Sequence, residues 1–300
     1  MIIKMPVCIN GSDISGYKEL IRISKSISEA PDTDHIVLNF KELCWIDANL
    51  LAVFGAILEQ HINRVKIRYV KNSIQPKIGE LLAKNNFGKY FSMSEKSDIN
   101  DTIIKYTITK GTDIKKFAQY FKESVLMRHA MPILSDSLKE KILENVLEIF
   151  GNAPLHAGCS HVFSCGQIFP QKNILKFTIA NTGYTIKENV IEYYGRVLNR
   201  DSFPKYTISW ATQEYNSTKT IVNGKSGGLG LFYLKQFTDR NNGSITICSA
   251  DEIWQYSNGQ EKNTIIDDIF SGTIVTIVIR TDDRNVYCLE GEDKEIFTEF

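Results

Sequence analysis

The sequence lacks most of the features that would place it quickly. It has no excess charge of either sign: among 300 residues, 35 Lys and Arg balance 35 Asp and Glu. No global field therefore draws it to nucleic acid or to an anionic membrane. No segment approaches transmembrane length, and the start, MIIKMPVCING, carries no apolar run long enough for a signal peptide. Six cysteines (Cys8, Cys44, Cys159, Cys165, Cys248 and Cys288) include no Cys-x-x-Cys pair. That argues against a zinc site or a disulfide framework and for a reducing cytoplasmic setting, with most of the six expected as small core hydrophobes. No stretch has the P-loop spacing Gly-x-x-x-x-Gly-Lys-Ser/Thr, and no dinucleotide fingerprint opens a strand–helix unit. What is present, 43% hydrophobic and 23% charged residues, is ordinary for a globular protein, and the length suggests two domains.

In the first hundred residues, Met1–Ile9, His35–Phe40 and Val65–Val70 read as strands, with helical patterns at Tyr17–Ser28 and Asn49–Asn63. Alternating strands and helices predict an α/β layer covered on one face. The polar run Ser92–Asp101 reads as a linker, which divides the chain into residues 1–97 and 98–280, followed by an acidic extension, 281–300, expected to be solvated. The stretch from Ile36 to Val70, with a strand, the turn Asp47-Ala48-Asn49-Leu50-Leu51, a helix and a second strand, resembles a STAS domain, the fold of anti-sigma-factor antagonists. The turn in that family reads Asp-Ser-Ser-Gly-Leu, and a partner kinase phosphorylates its first serine. Ala48 has no hydroxyl, so the resemblance implies a scaffold kept for packing or partner binding without that switch.

The second part turns on Ser135–Gly158. Ser137 and Glu140 suggest a capping box, and Leu138, Ile142, Val146, Ile149 and Ala153 recur as an apolar stripe. Glu148, Asn152 and His156 sit four apart and project from one face, with Pro154 expected to end or kink the helix before His156. Around this helix, Thr102–Thr109 reads as a strand, Asp113–Arg128 as a helix, and His161–Ile168 with Ile174–Ala180 as a hairpin. Helical stretches follow at Val190–Leu198, Ile208–Glu214 and Leu231–Thr238, then strands at Ser244–Cys248 and Gly272–Ile279. The loop Asn223–Leu231 is glycine-rich. Its backbone N–H groups and the positive end of the helix at Leu231 suit a phosphate, with Lys219 and Lys225 adding charge, although a plain tight turn reads equally well.

Taken in order, Glu148…Asn152, Asn181-x-Gly183, Gly228-x-Gly230-Leu231 and Gly272-Thr273 resemble the four boxes of the GHKL ATPase superfamily, the ATP sites of gyrases, chaperones and histidine kinases. The resemblance implies an α/β (α+β) fold, a STAS-like unit followed by a two-layer sandwich that holds ATP under a lid. It implies that Asn152 coordinates magnesium and that Glu148 positions or deprotonates the attacking group. Asn181 stands where the family has an adenine-binding aspartate, Gly183 lets the backbone pass the base, and Thr273 supports the pocket. Lys225, Gly227, Gly228, Leu229, Gly230 and Leu231 line the phosphates. Thr185 departs from the family by replacing a second glycine.

The functional expectation is a cytoplasmic, magnesium-ATP-dependent regulatory switch, with slow hydrolysis or phosphotransfer. It takes ATP or ADP and a protein partner, met through the STAS-like part or the lid; a homodimer is left open. The alternatives are a serine/threonine kinase of the anti-sigma-factor type acting on a separate STAS partner, and an interaction module that binds no nucleotide. A histidine kinase fits less well, because His129 lacks the expected acidic neighbour.

Overall fold

Strand and helix alternate from the first residues of the computed structural model, which describes residues 1–31, 35–156, 159–214, 216, 218, 230–282, 285–289 and 292, with backbone alone at 154–156 and 230–233. The first part runs β1 (Ile2–Lys4), β2 (Cys8–Ile9), α1 (Ser15–Ser28), β3 (His35–Asn39), β4 (Trp45–Ile46), α2 (Leu51–His61), β5 (Lys66–Tyr69) and α3 (Pro76–Lys84). β1, β3 and β5 form a parallel sheet in the order β1-β3-β5, and β2 pairs with β4 beside it. The second part runs β6 (Ile103–Lys110), α4 (Ile114–Phe121), β7 (Ile133–Leu134), α5 (Asp136–His156), β8 (His161–Phe169), β9 (Ile174–Thr182), α6 (Ile186–Glu192), α7 (Thr207–Ala211), α8 (Gly230–Arg240), β10 (Ser244–Ser257), β11 (Gln260–Arg280) and β12 (Val286–Tyr287). Its antiparallel sheet has the order β10-β11-β9-β8-β6. The chain is thus a mixed α/β protein with several sheets. Among the described residues, no helix is long and apolar enough to cross a membrane.

Alternation along the strands gives the large sheet two buried faces. Leu175, Phe177 and Ile179 of β9, with Ile245, Ile247, Val275 and Ile277, pack beneath α4, α5 and α8. The intervening residues Ala180, Cys248 and Ile274 face α1 and α2, which share a core with Ile3, Ile36 and Leu38 of the parallel sheet. Every residue of α2 from Leu51 to Leu58 is buried, as a helix lying between two sheets requires. A Cβ at Gly55 would come within 2.2 Å of the Tyr106 hydroxyl, so glycine is what lets α2 approach β6. The buried core therefore continues across residue 97.

Several local expectations give way to the observed packing. The helix cap is Ser135, whose Oγ accepts from Leu138 N at 3.1 Å, two residues before the expected Ser137. Phe150 takes the core position expected for Ile149, which is only half-buried; it stacks on Phe117 with ring centroids 4.2 Å apart. α5 continues through Pro154 to His156, so the proline, two residues from the last helical position, does not end it. β10 and β11 extend well beyond their expected ends as a long hairpin that turns at Asn258-Gly259, both with positive φ, as an Asn-Gly two-residue turn needs. β4 and α3 were not anticipated. Only Cys165 and Cys248 of the six cysteines are buried. The extension beyond 280 is not simply solvated: β12 pairs with β7, Tyr287 is buried, and Glu292 accepts from Ser135 Oγ at 2.6 Å.

The last residue of α2 carries a testable pH dependence. His61 is 5% exposed, and burial, with a smaller contribution from Arg64, pushes its pKa from 6.5 down to about 4. The unfolded chain then binds the proton more readily, so stability is full above pH 6.5 and falls as the pH drops towards 4. Between pH 6.5 and 5 the expected loss is about 2 kcal/mol, at about 1.4 kcal/mol per unit. Urea titrations at pH 7 and pH 5 should therefore show a drop for the parent that is about 2 kcal/mol larger than for His61→Gln. Equal drops would exclude this origin.

Candidate functional site

At the end of β9 the three central strands of the large sheet are in register at one level: Asn181 opposes Thr273, and Thr273 opposes Ser249. By alternation all three side chains share the face that carries α4, α5 and α8. The backbone is tight here. Gly183, at φ +122°, donates its N–H to the Ser271 carbonyl at 3.1 Å, and Gly272 lies at φ +147°. A Cβ on Gly272 would sit 2.0 Å from the Asn181 carbonyl oxygen. The expected residues Asn181, Gly183 and Thr273 thus come together in one small area.

Ser249 was not anticipated, and it knits this area to the following segment. Its hydroxyl donates to Gly272 O at 2.7 Å, lies 3.1 Å from Thr273 Oγ1 and accepts from Ile186 N at 3.0 Å. The available sequence signal was weak: a serine in step with Ile245 and Ile247, one residue before a bulge. Thr185, in place of the expected second glycine, has its own function. It caps α6 in a capping box, accepting from Glu188 N at 3.1 Å while the Glu188 carboxylate accepts from Thr185 N at 2.7 Å. Lys187 pairs with Asp251 at 2.8 Å, and buried Glu252 accepts from Thr207 Oγ1 at 2.8 Å and Ile208 N at 3.2 Å. The segment that leaves the site at Gly183 is therefore fastened to β10 at α6 and again at α7.

The helix side of the site is α5, which packs on β8, β9 and α8. Asn145, Glu148 and Asn152 lie three and four residues apart on one side of it. Glu148 and Asn152 are half-buried. Asn145 is 4% exposed and Asn181 7%, and the amide nitrogen of each has no hydrogen-bond partner among the described residues. Buried amides are nearly always satisfied, so each orphan donor needs a reason. Gly230 and Leu231 open α8, of which the backbone is described there, whereas Lys225, Gly227, Gly228 and Leu229 lie outside the described residues, as does Lys219. Among the described residues, no group of three or more His, Cys, Asp or Glu could hold a metal ion.

The opposite face of β9 receives the turn at residues 47–51. Asp47 and Lys176, each 2% exposed, form an ion pair at 2.8 Å. Asp47 also accepts from Gly11 N at 3.0 Å and Trp45 Nε1 at 2.7 Å, and Lys176 donates to Ser12 Oγ at 3.0 Å. Asn49 Nδ2 donates to Thr178 Oγ1 at 2.8 Å, and Ala48 N donates to Gln167 Oε1 at 2.9 Å. Ala48, Asn49, Leu50 and Leu51 are fully buried. The turn is pressed against the sheet, with no access from solvent. No known family model and no curated protein matches this chain.

Proposed function

We propose that the chain binds magnesium-ATP on the helix-covered face at the end of β9 and acts as a nucleotide-dependent regulatory switch. The supporting observation is the amide nitrogen of Asn181, which has no partner among the described residues and is buried beside Thr273 and Gly183 on the face that also carries α5. An amide offers an acceptor oxygen and two N–H donors, and the oxygen with one N–H complements the amino group and the neighbouring ring nitrogen of adenine. Asn181 therefore fits adenine with a donor to spare, where the aspartate of GHKL ATPases offers acceptors only. Asn152 would supply an oxygen to magnesium, an ion content with one or two protein ligands beside phosphate oxygens. Glu148 would accept or orient the proton of an attacking hydroxyl or water. Bound magnesium-ATP would supply a transferable phosphoryl group with its charge partly neutralised. The start of α8 at Gly230 adds N–H groups and a positive dipole end suited to phosphate. The buried turn at Ala48 has neither a hydroxyl nor access, so a kinase activity would have to act on a separate partner.

Thermal unfolding with magnesium-ATP or ADP tests this reading directly. Ligand at a hundredfold over its dissociation constant stabilises the folded state by about 2.7 kcal/mol. The midpoint should therefore rise by about 5–10 °C, at about 2–4 °C per kcal/mol. Asn181→Ala should lose most of the shift and Asn181→Asp should retain it, while Asn152→Ala should lose the part that depends on magnesium. No shift with either nucleotide would leave an interaction module that binds no nucleotide.

A further inference from the structure

All-parallel sheets occur almost only with both faces covered, because their strands bury side chains on both sides. Among the described residues, the β1-β3-β5 sheet is covered on one face only. Ile3, Ile36 and Leu38 point into the core, while the alternate residues point away from it. On that outer face Ile2 is 66% exposed and Val70 39%, and Val37 lies between them, opposite Ile2 in register. Around this apolar strip stand Lys4, His35, Lys66 and Arg68, all exposed. The three strands contain no acidic residue. None of Lys4, Lys66 and Arg68 has an ion-pair partner among the described residues. At the carboxyl ends of β1 and β3 the face opens into a shallow cavity of about 240 Å³ lined by Lys4, Asn39, Lys41 and Glu42.

We infer that this outer face is a docking surface for an amphipathic, acid-flanked helix of a partner protein. A helix is the element that covers the second face of a parallel sheet in α/β proteins, and it would lay its apolar stripe along Ile2, Val37 and Val70. Acidic residues on its flanks would meet Lys4, Lys66 and Arg68, and one acidic side chain would enter the cavity between Lys4 and Lys41. The charge arrangement sets the partner's sign and its approach more than its final affinity. A single-stranded nucleic acid fits less well, since binding sheets for it stack bases on aromatic side chains. The only aromatic residue of these strands, Tyr69, turns inward to Phe91. The inference is independent of the nucleotide site, which lies on the far side of α1 and α2.

The probe is a fluorescein-labelled, helix-stapled 16-residue peptide with leucines at i, i+3, i+4 and i+7 spacing and glutamates on the flanks, followed by fluorescence polarisation on the full chain. A second peptide carries lysine in place of every glutamate. The acidic peptide should bind, weaken with added salt, and lose at least tenfold in affinity to a Lys66→Glu/Arg68→Glu variant. Both positions are exposed, so that variant should keep the parent's unfolding midpoint and thereby rule out a folding defect. Hydrogen exchange should show protection in β1, β3 and β5 on binding. No binding of the acidic peptide at millimolar concentration overturns the inference, as does equal binding of the lysine peptide. Tighter binding of a 12-nucleotide single strand or of phosphatidylserine vesicles overturns it in favour of those surfaces. A dimer by light scattering that the double variant abolishes assigns the face to a second copy of the chain and overturns it as well.

Discussion

Lys176→Met should destabilise the protein by about 3–5 kcal/mol, the cost of leaving a buried charge without its partner. Lys176 and Asp47 are each 2% exposed and 2.8 Å apart, so water cannot replace the lost ammonium without opening the joint between α2 and the large sheet. Asp47 would keep the Gly11 and Trp45 donors, which places the loss inside that range rather than above it. The double variant Asp47→Asn/Lys176→Met removes both charges and should recover much of the loss, because two neutral groups carry no comparable desolvation cost. Equilibrium unfolding in urea gives all four corners of the cycle. The midpoint of the single variant should fall by roughly 6–20 °C, at about 2–4 °C per kcal/mol. A single variant within about 1 kcal/mol of the parent would mean that the pair is wet in solution and that the joint is held by apolar contact alone.

That ion pair also marks where sequence reading stops. The partners are 129 residues apart, and nothing periodic in the sequence links Asp47 to Lys176. What was legible is local or ordered. The stripe Leu138, Ile142, Val146 and Ala153 is buried as its spacing predicts, and the hairpin at residues 170–173 turns where Pro and Asn place it. Asn181, Gly183 and Thr273 were singled out by their order along the chain, and the β9–β11 register brings them together. Ile149 and Phe150 show the limit within a helix. Both fit a 3.6-residue period after Val146, and the larger ring wins the core because Phe117 offers it a stacking surface from another element. The Asn258-Gly259 turn was readable from its dipeptide alone, yet the strands on either side depart from simple alternation at bulges near Ala250, and this hides the hairpin. The joint between the two halves has no comparable signature, since the turn at Asp47 reads the same whether it faces water or a sheet.

Gly272→Ala should be the most damaging single-methyl change near the proposed site. Its φ of +147° is rarely adopted by residues with a side chain, and the added Cβ would lie 2.0 Å from the Asn181 carbonyl and 2.8 Å from the Thr182 Cα. Backbone strain of about 1–3 kcal/mol and overpacking of about 1–3 kcal/mol together give an expected loss of about 2–6 kcal/mol. Gly259 separates these two contributions. It also has a positive φ, +70°, but nothing lies within 4 Å of a Cβ there, so Gly259→Ala should show the strain alone. Urea unfolding free energies for the pair should therefore differ by at least about 1–3 kcal/mol, the size of the overpacking contribution, since the strain at φ +147° is no smaller than at φ +70°. Equal losses would show that β9 and β11 yield at this point instead of being locked. The atom that the added methyl would strike belongs to Asn181 itself, so the nucleotide-dependent thermal shift should vanish in Gly272→Ala and persist in Gly259→Ala. A folded Gly272→Ala protein that kept its full response to magnesium-ATP would place the adenine somewhere other than Asn181.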